Sequence, residues 1–169
     1  MNVRVATGNI TEMATDAIIV NLFEGVKSPG GATGAVDNAM DGAISKMIAK
    51  GQIKGTFNET TVIHTLGKIT PEMVLVVGLG KQRNFDLEKV RQITDVACKS
   101  LRGAGAKRVA TILHGAGAGG LDPKEVAQAI TEGSMMGLYT FNQHQRKKKD
   151  RKEIKQLLIT EQTKNKAAK

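Results

Sequence analysis

Two glycine-rich stretches have the composition of binding loops. SPGGATG spans Ser28–Gly34 and GAGAGG spans Gly115–Gly120, and each follows an apolar run and leads into a helical pattern. Backbone N–H groups in such a loop, with a helix N-terminus behind them, can hold a phosphate or another anion. The residues that would do so here are Gly30, Gly31, Gly117 and Gly119. Neither stretch ends in Gly-Lys-Ser/Thr, so neither is a Walker A loop. No acidic residue closes a strand about 20 positions after GAGAGG, as a dinucleotide fingerprint requires. The competing reading is plain: tight turns and close packing of helix on sheet.

The other reactive side chains do not assemble into a site. His64 falls within a strand pattern, His114 at a strand end and His144 in a polar stretch, with no two at metal-ligand spacing on one helix face. Ser28, Ser45, Ser100 and Ser134 lack a nucleophile-elbow context. Cys98 sits beside Ala97 on an apolar helix face and reads as a small core residue. The carboxylates are scattered as capping and surface groups. The sequence therefore assigns no catalytic residue and no metal ligand.

Charge is unevenly spread. Of 25 Lys/Arg and 16 Asp/Glu, residues 144–169 hold 10 and 3, so the body is almost neutral and the basicity belongs to the end of the chain. The run RKKKDRK could touch nucleic-acid phosphates through Arg146, Lys147, Lys148 and Lys149. With no Trp, one Tyr and four Phe, stacking on single strands is not expected. No apolar run reaches the ~18 residues of a membrane-spanning helix, and the opening MNVRVATGN has no signal-peptide core. One cysteine excludes an internal disulfide, so a reducing, cytoplasmic setting is expected.

The positioning elements follow from periodicity. Strands are predicted over Asn2–Thr7, Thr15–Phe23, Thr60–Leu66, Glu72–Gly80, Arg108–Gly115 and Glu153–Thr160. The Lys68–Pro71 connection could close a hairpin, so the sheet need not be purely parallel. One helix is expected to carry Val36, Met40, Ile44, Met47 and Ile48 and to end at Gly51. A second starts at an Asp86 N-cap, carries Val90, Ile93, Val96, Ala97 and Leu101, and stops at Gly103–Gly105. A third starts at Asp122-Pro123, carries Val126, Ala129, Ile130, Gly133, Met136 and Gly137 along one side, and ends near Phe141. Strands alternating with helices predict an α/β fold in three layers, a mixed sheet of about six strands covered on both faces.

These pieces, in order, also resemble a known family. TGNITEMATDAIIVNLFEG, GGATGAVDNAM, TVIHTL, VLVVGLGK and AITEGSMMGLYTFNQHQRKKKDRKEI are similar to the N-terminal domain of the leucyl (cytosol) aminopeptidases, across essentially the whole chain. The most specific parts are Val77–Lys81 and the ending EGSMMGLYTFNQHQRKKK. The opening resembles macro domains as well, through Gly8-Asn9-Ile10-Thr11, Asp16–Asn21 and Gly30–Val36. Two departures stand out. Asn9 replaces the Asp with which macro domains hold an adenine amino group, and Leu22-Phe23-Glu24 replaces the rest of their N-A-A-N motif.

The resemblance implies a macro-like fold without chemistry of its own. The family removes N-terminal residues from peptides with two divalent metal ions (Mn or Zn), held by a C-terminal domain around an N-T-D-A-E-G-R motif that this sequence lacks. It implies a domain over residues 1–145, then a basic segment, last strand and linker over 146–169. The expected partner is the catalytic domain of the same polypeptide, in a hexameric parent. The alternative is a stand-alone macro-like binder of ADP-ribose or a related nucleotide.

Overall fold

The computed structural model describes residues 1–117, 119–139 and 152–161. The predicted strands appear as β1 (Asn2–Thr7), β2 (Ala17–Phe23), β3 (Thr60–His64), β4 (Met73–Gly80), β5 (Arg108–Ile112) and β6 (Gln156–Glu161). They form one sheet in the order β1-β6-β5-β2-β4-β3. Four of the five pairings are parallel; β3 runs antiparallel to β4 through the hairpin that the short connection allowed. β6, the last strand in sequence, is inserted between β1 and β5.

Why both faces are covered is visible along β2. Successive side chains of a strand point to opposite faces. Ile18, Val20 and Leu22 pack in one layer with Val36, Ile44 and Ile48, from α1 (Gly31–Ala39) and α2 (Ala43–Ala49). Ala17, Ile19 and Phe23 pack in the other with residues of α3 (Leu87–Ala104) and α4 (Pro123–Leu138), among them Val90, Ile93, Val126 and Ile130. A strand buried on both sides reads as an unbroken apolar run, which AIIVNLF nearly is.

Three expectations are corrected. The first helix is two helices: Asp41 (φ 56°) and Gly42 (φ 73°) adopt left-handed backbone and break it. The break is held by the buried Asp37, which accepts from the Ser45 N–H (3.0 Å) and hydroxyl, and by an ion pair between Asp41 and Lys68. The last helix ends at Leu138 and not near Phe141, because Tyr139 turns to extended backbone (ψ 122°). Met136 is 68% exposed and not buried. α4 meets α3 through Gly133 and Gly137 so closely that a Cβ on Gly133 would stand 2.4 Å from the Arg91 carbonyl oxygen, so the helix packs by its glycines while Met136 stays exposed.

The predicted caps are present. Asp86 accepts from the N–H of Lys89 at 2.9 Å, and Asp122 from those of Lys124 and Glu125 at 3.0 and 3.1 Å. Gly51 has the left-handed φ (70°) expected of a helix stop.

Candidate functional site

The parallel strands β1, β6, β5 and β2 end on one side of the sheet, and there a cleft of about 930 Å³ opens. In open α/β sheets the carboxyl edge is where ligands bind, because loops diverge there and leave a crevice. Gly30 and Gly31 from the first glycine-rich loop line this cleft, as do Gly115, Ala116 and Gly117 from the second. Two loops 80 residues apart in sequence thus face each other across one space. Leu22, Phe23, Val26 and Leu113 make its walls apolar, while Thr7, Thr160 and Glu161 come from the ends of β1 and β6.

The two loops differ in what they offer. Gly30 is the N-cap of α1 and gives no side-chain bond to the first-turn N–H groups. Such groups have no intrahelical acceptor. At α4 the corresponding groups are taken by Asp122. Gly119 does not line the cleft: a Cβ there would meet the Gly115 carbonyl oxygen at 2.6 Å, so this glycine packs the loop against itself. Gly30, Gly31 and Gly117 are therefore brought together and Gly119 is not.

A line of polar side chains runs from the cleft wall, at Thr33, Asn21 and Thr160, to the buried Thr111 and His114. The Thr33 hydroxyl donates to the Asn21 carbonyl at 2.7 Å. The Asn21 side-chain amide lies 3.0 Å from His114 Nδ1, and His114 Nε2 lies 2.8 Å from the Thr111 hydroxyl. Thr160 donates to the Thr111 carbonyl at 3.0 Å. With the Asn21 amide nitrogen donating, Nδ1 accepts and the imidazole proton sits on Nε2, directed at Thr111. Burial pushes the His114 pKa down to about 3, so the ring is neutral across the physiological range. A fully buried, neutral imidazole with both nitrogens engaged is a structural tie and not an acid or a base. Asn21 was visible as one polar residue inside an apolar run; its partners Thr33, Thr111 and Thr160 carried no signal in sequence.

The remaining candidates lie elsewhere. His64 is exposed at the end of β3. Cys98 is buried in the core, where desolvation pushes its thiol up to about 12 and keeps it protonated. Ser45 is bound to Asp37, and Ser134 donates to the Thr131 carbonyl within its own helix. Asn9 caps a single 3-10 turn at Ile10–Glu12, accepting from the Thr11 N–H (3.0 Å) and hydroxyl (2.8 Å). Its oxygen is thereby committed to the turn. His144 and Arg146–Lys149 lie outside the described residues. Among the described residues no three His, Cys, Asp or Glu side chains converge, so they offer no donor set for a divalent ion. No helix of the described chain is long and apolar enough to cross a membrane.

Known proteins share this fold. The chain superposes on tomato leucine aminopeptidase (a mutant) with a TM-score of 0.75 and 14% identity, covering 95% of this chain and 32% of that one. It superposes on the macrodomain of Mycobacterium tuberculosis DarG with a TM-score of 0.68 and 18% identity, covering 93% and 96%. A Trypanosoma brucei macrodomain in complex with ADP gives 0.72 and 12%, covering 94% and 63%. These likenesses establish the three-layer, macro-like fold.

Sequence relatives are more specific. The probable cytosol aminopeptidase of Alkaliphilus metalliredigens is 30% identical over 153 residues, 90% of this chain and 30% of that protein. That of Geobacter sulfurreducens is 31% identical over 142 residues, 84% and 28%. The chain thus spans about 30% of the length of the curated relatives it matches. Residues 19–148 match the model of the cytosol aminopeptidase family, N-terminal domain. By that match, over most of its length, the chain belongs to the cytosol aminopeptidase family as an N-terminal domain.

Proposed function

We propose that this polypeptide is a non-catalytic domain that packs on the catalytic half of an aminopeptidase. In this reading the parent removes N-terminal residues from peptides, and two divalent ions (Mn or Zn) held in the C-terminal domain supply the activated water. The observation that supports it is the family match over residues 19–148, in a chain covering about 30% of its relatives' length. Residues 1–145 would form the body of the domain, and 146–169 its basic segment, last strand and linker. A hexameric, cytoplasmic parent belongs to the same reading. The experiment is direct: the chain is incubated with leucine anilide and Mn or Zn beside a cytosol aminopeptidase of the family. No turnover by the chain is expected, and turnover above a protein-free blank would sink the reading.

The cleft supports a second reading, a nucleotide such as ADP-ribose held by the glycine loops. In its favour, Gly30, Gly31 and Gly117 face one space at the carboxyl edge of the sheet. Against it stand the bulk of Leu22 and Phe23 in the wall and the commitment of Asn9 to its own turn. Calorimetric titration with ADP-ribose distinguishes the two readings. Heat saturating at one ligand per chain favours the second, and a flat titration at millimolar ligand removes it.

A further inference from the structure

The two ends of the cleft offer opposite chemistry. Among the described residues, Glu161 is the one ionisable side chain that lines it. The end of β6 is fixed there: Thr7 of β1 is in register with Glu161, and the Gly8 N–H donates to the Glu161 carbonyl at 3.4 Å. The Glu161 carboxylate is exposed, and no Lys, Arg or His of the described residues pairs with it. The neighbouring Thr160 hydroxyl gives its proton to the Thr111 carbonyl, so only its lone pairs are left for a ligand. This corner of the cleft accepts hydrogen bonds and carries negative charge.

The other end donates. The Thr33 hydroxyl bonds the Asn21 carbonyl, which sets the first turn of α1 against β2 at Asn21. Gly31 and Ala32 open that turn with N–H groups that no capping side chain takes. The separation of the two ends follows from register. Ile19 is level with Thr111 and Thr111 with Ile159, so Asn21 and Glu161, each two residues further on, stand level and two strands apart. Strands ~4.8 Å apart put them ~10 Å from each other. Between them Leu22, Phe23, Val26 and Leu113 offer apolar surface. We propose that the cleft binds a short apolar peptide by its free amino terminus, with the ammonium at Glu161.

Length and charge fit that ligand. An extended chain covers ~3.3–3.6 Å per residue, so about three residues reach from the Glu161 carboxylate to the N–H groups of α1. The ammonium supplies donors where the cleft only accepts. The last carbonyl or carboxylate of the peptide accepts where the cleft only donates. Its apolar side chains leave water for the wall between the two ends. A nucleoside diphosphate would instead bring like charge to Glu161.

The test is calorimetric titration of the whole chain with trileucine, N-acetyl-trileucine and leucine. Trileucine is expected to saturate at one peptide per chain, and acetylation to weaken it about threefold or more, the scale of an exposed ion pair. Leucine, too short to span the cleft, is expected to bind about tenfold more weakly or worse. E161Q is expected to weaken trileucine by the same factor as acetylation and to leave N-acetyl-trileucine unchanged. A merely structural role of Glu161 would move both peptides alike. Circular dichroism checks that the variant is folded. A flat titration at millimolar trileucine would overturn the proposal, and so would equal binding of the free and acetylated peptides. An E161Q variant that holds trileucine as tightly as the unchanged chain would overturn it too. Heat from ADP-ribose with none from trileucine would assign the cleft to a nucleotide and overturn it as well.

Discussion

Asn21 and His114 are 93 residues apart in sequence, yet the Asn21 amide lies 3.0 Å from His114 Nδ1 and ties β2 to the loop that follows β5. Each glycine-rich loop is anchored to this pair: Thr33 of the first bonds the Asn21 backbone, and His114 immediately precedes the second.

His114→Ala is expected to destabilise the fold by ~2–4 kcal/mol, since it opens a cavity, takes the His114 contact from the half-buried Asn21 amide, and leaves the buried Thr111 hydroxyl with only its bond to the Ile112 carbonyl. Urea denaturation measures this. Asn21→Asp is expected to be harmful as well, because it replaces the amide donor facing His114 Nδ1 with a carboxylate at a half-buried position. A loss below ~1 kcal/mol in both variants would show that the polar line is incidental.

The same histidine makes stability depend on pH. In the unfolded chain it titrates near 6.5, while burial holds it down to about 3 in the fold. Between these values the unfolded state binds more protons, so stability is complete above pH 6.5 and declines as pH falls toward 3. The slope approaches ~1.4 kcal/mol per pH unit at most. Asp41 beside Lys68, and Glu132 beside Arg91, have lowered pKa values and push the same way at the acid end. Denaturation at several pH values should show the decline, and His114→Asn should flatten it between pH 6.5 and 4.5.

Gly133→Ala tests the close approach of α4 to α3. Alanine favours a helix by ~1 kcal/mol over glycine, but here its Cβ would meet Arg91 backbone atoms at 2.4 and 2.8 Å. The clash wins, and a net loss of ~1–3 kcal/mol is expected. Gly103→Ala is the control, because nothing lies within 4 Å of a Cβ at that helical position. There the helix term acts alone and a gain of up to ~1 kcal/mol is expected. The sign difference, read as opposite shifts in Tm, is the outcome to check.

Asp122→Ala removes the carboxylate that accepts two N–H groups at the start of α4, with an expected cost of ~0.5–2 kcal/mol. Asp122→Asn should recover most of it, as the amide oxygen still accepts. A cost that Asn does not relieve would assign the effect to charge and not to the cap.

Much of the architecture is written in local pattern. Apolar runs such as AIIVNLF mark strands covered on both faces, and Asp86, Asp122-Pro123 and Gly51 mark helix ends because caps obey short-range hydrogen bonding. The family itself is legible in motifs spread along the chain. Long-range choices are not. The phase of Val36, Met40, Ile44 and Ile48 suits one helix as well as two, and the ties of Asp37 to Ser45 and Asp41 to Lys68 decide for two. Nothing local tells β6 to slip between β1 and β5, since strand order is set by which neighbours complete the two packed layers. Neither glycine loop, read alone, announces that it shares a cleft with the other, or that Gly119 turns away from it. Those facts arise only when β2 and β5 lie side by side and Asn21 meets His114, because a contact between distant residues exists only in the folded packing.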